Sequence, residues 1–271
     1  MTPAAKRKKT PMVKAAFFDI DGTLVSFKTH TMPESTKRAL AALRRNGIKV
    51  FIATGRAPNN IEFIKKMFDF DGFVCFNGQL CLETDGTVLY DHPLPKRDID
   101  AVLPYMNEHK IACCFEMAYR QVFNMVDRRV QDLLAYVNEP AVKPEDIVDV
   151  SEMTQNFYQL SAYITPDEEE SLMRHMPDCK AMRWHELFVN IVGKDGGKPV
   201  GIAKVCEKYG YGINDVIAFG DGGNDIDMLK SVGTGVAMGN AGENVKKIAD
   251  YVTTDVDGDG IRNALKHFKL I

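Results

Sequence analysis

Asp19 and Asp21 stand two positions apart, with Ile20 between them, at the end of a hydrophobic run that begins at Val13, and Gly22 follows them. Residues two apart on a strand point to the same side. Phe17-Phe18-Asp19-Ile20-Asp21-Gly22-Thr23-Leu24 therefore presents two carboxylates together, with Ile20 opposite. Like charges this close persist when a cation lies between them or when one keeps a proton. Either arrangement suits chemistry on an anionic substrate. A turn rich in Asp and Gly is also an ordinary way to end a strand, so the pair gains meaning only from what distant segments bring to it.

Three further segments carry polar chemistry at a strand end or a helix start. Ile48 to Ala53 reads as a buried strand that ends in Thr54-Gly55-Arg56. A hydroxyl and exposed backbone N–H groups there can meet a phosphate, although Thr54 could equally cap the next helix. Lys198 abuts Pro199, a residue favoured at the start of a helix. Val216 to Phe219 reads as a strand ending in Gly220-Asp221-Gly222-Gly223-Asn224-Asp225. Together these residue types fit phosphoryl transfer. One carboxylate can attack phosphorus, and a second can protonate the leaving oxygen and later activate water. A lysine and a hydroxyl can hold phosphate oxygens. Carboxylates from two strands can bind Mg²⁺, a hard ion that takes oxygen ligands.

For segments so far apart to cooperate, the fold must gather strand ends, as a doubly wound parallel sheet does. Strands and helices alternate from Val13 to Phe76, with a helix from Pro33 to Asn46 and another from Ile61 to Phe68. A hairpin pattern follows around Thr84-Asp85-Gly86-Thr87. From about 92 to 186 the texture changes to paired strands and helices, with a helix from Asp127 to Asn138, describing an α+β insert with helices on one face. Alternation then resumes to the end. The expected organisation is a polar basic tail over 1–11, a core over 12–91 and 187–271, and an inserted domain over 92–186. The fold class is α/β, a Rossmann-like parallel core with an α+β insert.

Composition narrows the field. The 271 residues are 45% hydrophobic and 26% charged with a net charge of −3, ordinary for a globular protein and without the global basicity of a nucleic-acid or membrane binder. No apolar run is long enough to span a bilayer, and no signal-peptide core is seen near the N-terminus. The six cysteines are scattered without a C-x-x-C pair. They read as free thiols in a reducing compartment, which makes the cytoplasm the expected location. Lys6-Arg7-Lys8-Lys9 reads as a solvated tail. No obligate protein partner is expected.

Phe17 to Leu24 resembles the hhhDxDGT signature of the haloacid dehalogenase-like phosphatases, and Asp221 to Asp225 resembles the GDxxND form of their acidic fourth motif. Ile52-Ala53-Thr54-Gly55-Arg56 is similar to the second motif. Lys198 stands where the third-motif lysine would, with Pro199 in place of the common Gly and Lys194 as a less suitable rival. Val236 to Ala241 and Ala249 to Thr253 resemble the Cof-type subgroup, whose members carry a type IIB cap where this insert lies. The resemblance implies Asp19 as nucleophile and metal ligand, and Asp21 as general acid/base whose carbonyl also ligates Mg²⁺. It implies Thr54, with Gly55, and Lys198 as phosphate-binding, Asn224 as holding the phosphate region, and Asp221 and Asp225 as the rest of the metal site. The cap would then set substrate choice. Arg56, Asn77, Glu116, Arg120, His185 and Asn190 are its polar candidates or neighbours, each also readable as a plain turn or solvated face. The expected activity is Mg²⁺-dependent hydrolysis of small phosphorylated metabolites, sugar phosphates foremost, through an aspartyl-phosphate. The alternatives are a phosphotransferase or phosphomutase using the same aspartate, and a phospho-ligand sensor without turnover. Asp255 to Gly260 resembles the start of an EF-hand loop, but its twelfth position is Lys266 where Glu is required, which argues against calcium.

Overall fold

Ala15, Ala16, Phe17 and Phe18 are all fully buried, which requires apolar cover on both faces of the strand they form. The computed structural model describes residues 13–136 and 140–271. The expected basic tail over 1–11, and the end of the helix expected from Asp127 to Asn138, lie outside the described residues. In chain order the first elements are β1 (Ala15–Phe18), α1 (Glu34–Arg45), β2 (Lys49–Ala53), α2 (Glu62–Lys65), β3 (Gly72–Cys75), β4 (Leu80–Leu82) and β5 (Val88–Asp91). The insert holds α3 (Lys96–His109), β6 (Cys113–Glu116), β7 (Gln121–Phe123), α4 (Arg128–Tyr136), β8 (Gln159–Ala162), α5 (Pro166–Met173), β9 (Cys179–His185) and β10 (Phe188–Gly193). The chain returns through α6 (Lys198–Tyr209), β11 (Val216–Gly220), α7 (Ile226–Ser231), β12 (Thr234–Ala237), α8 (Glu243–Lys246), β13 (Tyr251–Val252) and α9 (Gly260–His267).

The core sheet has eight strands in the order β13-β12-β11-β1-β2-β3-β4-β5. The first six in that order are parallel, and the hairpin read from the sequence adds β4 and β5 antiparallel. Strand alternation sorts the core into two layers. Ala16 and Phe18 pack with Leu40, Leu43, Ile261 and Leu265 on one face, and Ala15 and Phe17 pack with Ile202, Val205, Met228 and Leu229 on the other. β1 lies between β2 and β11. The chain therefore leaves β1 toward one side of the sheet and returns on its other side, which opens a crevice at the carboxyl end of β1.

The insert is a five-stranded antiparallel sheet in the order β7-β6-β8-β10-β9. Two expectations change here. β10 is an interior strand of this sheet, so the return to the core falls after Gly193 and not at 187. The helices also do not share one face: α3 and α5 cover Phe115, Leu160 and Ile191, while α4 covers Cys114, Tyr163 and Phe188 on the opposite face. The helix expected over 61–68 is a 3₁₀ turn, Pro58–Ile61, running into the short α2.

Candidate active site

The parity that sends Ala15 and Phe17 toward α6 continues to Asp19 beyond the end of β1, and α6 begins with Lys198. The Lys198 side chain is fully buried, and its Nζ donates to Asp19 Oδ1 and to Asp225 Oδ1, each at 2.6 Å. The other oxygen of Asp225 accepts the N–H groups of Asp221 at 3.0 Å and Gly222 at 2.9 Å. Asp225 thus braces the turn after β11 and holds the lysine. Lys194, the rival in the sequence, is exposed.

Asp221 is held from two sides. Thr23 Oγ1 donates to its Oδ1 at 2.7 Å, and Asn240 Nδ2 lies 3.3 Å from its Oδ2. The same Asn240 amide donates to the Gly22 carbonyl at 2.8 Å and accepts the Val256 N–H at 3.0 Å. It joins the turn after β1 to the loop whose sequence resembles the start of a calcium site. Gly22 has φ +82°, and a Cβ there would collide with the Asp221 carboxylate and the Phe27 ring. Only glycine lets the two acidic turns meet this closely.

The Asp21 carboxylate takes a different direction. Arg56 grips it bidentately, Nε to Oδ2 at 2.7 Å and Nη2 to Oδ1 at 2.9 Å, and the guanidinium lies over the Phe63 ring at 5.3 Å. Thr54 is buried at the end of β2, and its Oγ1 accepts the Arg56 N–H at 3.2 Å. Its own hydroxyl proton can still be directed at an anion. Gly55 packs against Asn77: a Cβ would stand 3.1 Å from Asn77 Nδ2 and 3.2 Å from its Oδ1.

Charge balance in the crevice is unfavourable without a further cation. Carboxylate oxygens of Asp19, Asp221 and Asp225 all lie within 4.8 Å of one another, and Lys198 supplies one positive charge against the three. Burial raises the Asp19 carboxyl well above its ordinary value; Lys198 opposes this while Asp225, Asp221 and Asp21 add to it. Burial pushes Asp221 up to about 7 despite the Thr23 hydrogen bond, with Asp225 adding to the rise. Burial works against the Lys198 ammonium, but Asp19 and Asp225 more than offset it and raise its pKa. An all-oxygen donor set short of positive charge fits a hard divalent ion such as Mg²⁺. Asp19 is bonded to Lys198 through one oxygen and Asp221 Oδ2 carries only the long Asn240 contact, so these two have positions to offer one; both oxygens of Asp225 carry short hydrogen bonds, and the Asp21 carboxylate faces Arg56.

On the insert, a polar row lies on the sheet face that also carries α4. Glu116 on β6 accepts from Gln159 Nε2 at 2.9 Å, and Ser161 Oγ lies 3.1 Å from the same oxygen and 2.9 Å from Asn190 Oδ1. Burial raises the Glu116 carboxyl, and its two hydrogen bonds partly oppose the rise. Glu116 and Asn190 therefore share one cluster, and Asn77 reaches it from the core, donating to Gln159 Oε1 at 3.1 Å. Arg120 instead bonds the Glu145 carbonyl at 3.3 Å and pairs with Asp146 at 3.6 Å. His185 Nδ1 accepts the Leu187 N–H at 3.1 Å in the turn between β9 and β10. Sequence reasoning does not reach Gln159, Ser161 or Lys180, and it meets Asn240 only as part of the Val236 to Ala241 segment, without a role; Lys180 donates to the Gly196 carbonyl at 2.9 Å beside the start of α6. Their trace in the sequence is slight. Gln159-Leu160-Ser161-Ala162 alternates polar and apolar residues in a strand that is otherwise buried.

A family model for haloacid dehalogenase-like hydrolases matches residues 16–265. YkrA of Bacillus subtilis (strain 168), whose name marks it provisionally as a phosphatase, is 36% identical over 258 residues, covering 95% of this chain and 98% of YkrA. BT1666 of Bacteroides thetaiotaomicron, described among the phosphatases of that superfamily, has a structure that superposes with a TM-score of 0.92 at 34% identity, over 100% of both chains. The structure of BT4131, described as a subclass IIB sugar phosphatase, superposes with a TM-score of 0.85 at 35% identity, over 96% of this chain and 100% of that one.

Proposed function

The chain belongs to the haloacid dehalogenase-like hydrolases and is a phosphatase of that family, and on that premise we propose that it is a Mg²⁺-dependent enzyme releasing phosphate from small phosphorylated metabolites, sugar phosphates foremost, through an aspartyl-phosphate on Asp19. The observation that carries this reading is the buried Lys198, clamped at 2.6 Å between Asp19 and Asp225. It offsets part of the negative charge around the nucleophile and engages one of the two Asp19 oxygens.

In the proposed reaction an Asp19 oxygen attacks phosphorus in line with the ester oxygen, a P–O bond to Asp19 forms, and the bond to the leaving group breaks. Asp21 gives its proton to the departing oxygen, then takes one from the water that attacks the aspartyl-phosphate. Attack at phosphorus frees inorganic phosphate and restores both carboxyls. Arg56 grips the Asp21 carboxylate, so proton delivery requires that grip to loosen. Thr54, the backbone at Gly55, Lys198 and Asn224 hold the phosphoryl oxygens. Mg²⁺, when bound by Asp19, Asp221 and the Asp21 carbonyl with Asp225 behind them, would supply Lewis-acid stabilisation of the charge that develops on those oxygens. The sugar-phosphate preference is supported by the resemblance to BT4131 and by the polar row on the insert, whose donors and acceptors suit hydroxyl groups.

The test is phosphate release from a panel of sugar phosphates, nucleotides and phosphorylated cofactors by wild type and Asp19→Asn, with Mg²⁺ or EDTA. The expected result is metal-dependent release that falls by at least about a thousandfold in the variant, as loss of a covalent nucleophile requires. Comparable turnover by folded Asp19→Asn would remove Asp19 from the role.

A further inference from the structure

Asn77 sits beyond β3, buried and at φ +53°, a left-handed conformation that asparagine tolerates better than most residues. Both ends of its amide are taken by protein. Its Nδ2 donates to Gln159 Oε1 on the insert, and its Oδ1 accepts from Asn224 Nδ2 in the core, each at 3.1 Å. Gln159 Nε2 in turn donates to Glu116 Oε1 at 2.9 Å. The result is a continuous hydrogen-bonded chain, Glu116–Gln159–Asn77–Asn224, from β6 of the insert to the turn after β11.

The direction of this chain is dictated by its first member. The Glu116 oxygen accepts here, so Gln159 turns its NH₂ toward Glu116 and its oxygen toward Asn77. Asn77 must then present its NH₂ to Gln159 and its oxygen to Asn224, which obliges Asn224 to offer an N–H. One Asn224 proton is used by Asn77; the second stays available for a phosphoryl oxygen. The junction is reinforced beside the chain. Tyr158 of the insert stacks on Phe76 of the core, with centroids 5.2 Å apart and planes 9° apart. Gly55 leaves room for the Asn77 amide, as its missing Cβ indicates.

We propose that Asn77, Gln159 and Glu116 are positioning residues that turn the Asn224 amide toward the phosphate and make that orientation depend on the seating of the insert. The proposal rests on the phosphatase reading, because it takes phosphate as the ligand of Asn224. The Gln159 side chain bonds Asn77 and Glu116 and stands apart from the Asp19, Asp221 and Asp225 cluster, yet it would govern how tightly phosphate is held. Single variants that break the chain anywhere should then cost the same interaction, and breaking it twice should cost no more.

The experiment measures inorganic phosphate binding to the full chain with Mg²⁺, by calorimetry and as product inhibition, for wild type, Gln159→Leu, Asn224→Ala and the double variant. Asn224→Ala is expected to weaken phosphate about tenfold, the worth of one good hydrogen bond. Gln159→Leu should weaken it about three- to tenfold, and the double variant should match Asn224→Ala alone. Glu116→Gln, whose amide no longer imposes a direction, should fall between wild type and Gln159→Leu. Asn77→Gly, which keeps the left-handed backbone, repeats the test from the core side if Gln159→Leu folds poorly. Wild-type affinity in Gln159→Leu and Asn77→Gly, or effects of Gln159→Leu and Asn224→Ala that multiply, would overturn the chain's role. Failure of the phosphatase reading looks different: wild type hydrolyses no ester, while the relative phosphate affinities of the variants still support or overturn the chain.

Discussion

Lys198 carries two loads at once. Its ammonium is buried between Asp19 and Asp225, so Lys198→Met leaves two carboxyls in a poorly solvated crevice without their counter-ion. Removing one partner from such a cluster costs about 3–5 kcal/mol because the remaining charge stays buried. Urea unfolding of Lys198→Met should register that loss in Mg²⁺-free buffer. The deficit should shrink as Mg²⁺ is added, while turnover remains abolished because the phosphate has lost a donor. An unchanged unfolding midpoint would mean that the two acids are solvated and that the clamp contributes nothing. Among single residues, the acids and the lysine are the most legible part of the sequence, because each interrupts an apolar strand or opens a helix. The partner of Asp21 is not legible. Arg56 reads as part of the second motif, and nothing local says that its guanidinium closes on a carboxylate 35 residues earlier in the chain.

The turns after β1 and β11 must interlock for the acids to share a site, and the tightest point is Gly22. Gly22→Ala puts a Cβ against the Asp221 carboxylate and the Phe27 ring at φ +82°. The left-handed backbone alone costs about 1–2 kcal/mol, and the collision pushes the two turns apart. The variant should therefore melt lower and lose most of its turnover, measured by thermal unfolding and phosphate release. Gly86→Ala, at φ +89° with open space around it, is the control that bears the backbone cost without the collision and should keep its activity. At this scale the sequence reads well where structure is local. The alternation of Val13 to Ala53, the hairpin at Thr84 to Thr87 and the glycines that end strands all follow from neighbouring residues. It reads less well where strands choose partners far away. The expected boundary at 186 fails because Leu187 to Val192 looks like any buried strand, yet β10 pairs with both β8 and β9. Gln159 and Ser161 escape notice because their shared face matters only once Glu116 and Asn190 arrive from flanking strands. The placement of α4 opposite α3 and α5 is invisible for the same reason.

At the scale of the whole molecule, the crowded acids link stability to pH and to metal. Asp221 titrates near 3.8 when unfolded and is pushed up to about 7 in the fold, first by burial and then by Asp225. A raised carboxyl favours the folded state only while it is protonated. In metal-free protein the contribution is complete below about pH 4 and is lost as pH climbs through about 7. At 1.36 kcal/mol per pKa unit the loss could reach about 4 kcal/mol, with other groups superimposed on it. Comparison with Asp221→Asn isolates it. In EDTA the wild type should lose stability relative to Asp221→Asn as pH rises from about 4 to about 8. On the proposed reading Mg²⁺ is held by the ionised carboxylates, so its effect should have the opposite slope, negligible at the acid end and largest at the alkaline end, where a hundredfold excess over its Kd is worth about 2.7 kcal/mol. Thermal melts of both proteins, with EDTA or Mg²⁺, across that range read all four curves. Wild-type melts that coincide with and without Mg²⁺ at every pH would mean that the acids do not gather an ion. The excess negative charge would then have to be relieved by protons held on the crowded carboxyls, as the raised Asp19 and Asp221 values allow. Converging curves at low pH and diverging ones at high pH would tie the fold's weakest electrostatic point to the proposed ion, with the part of the carboxylate crowding that Lys198 leaves unbalanced offset when the ion binds.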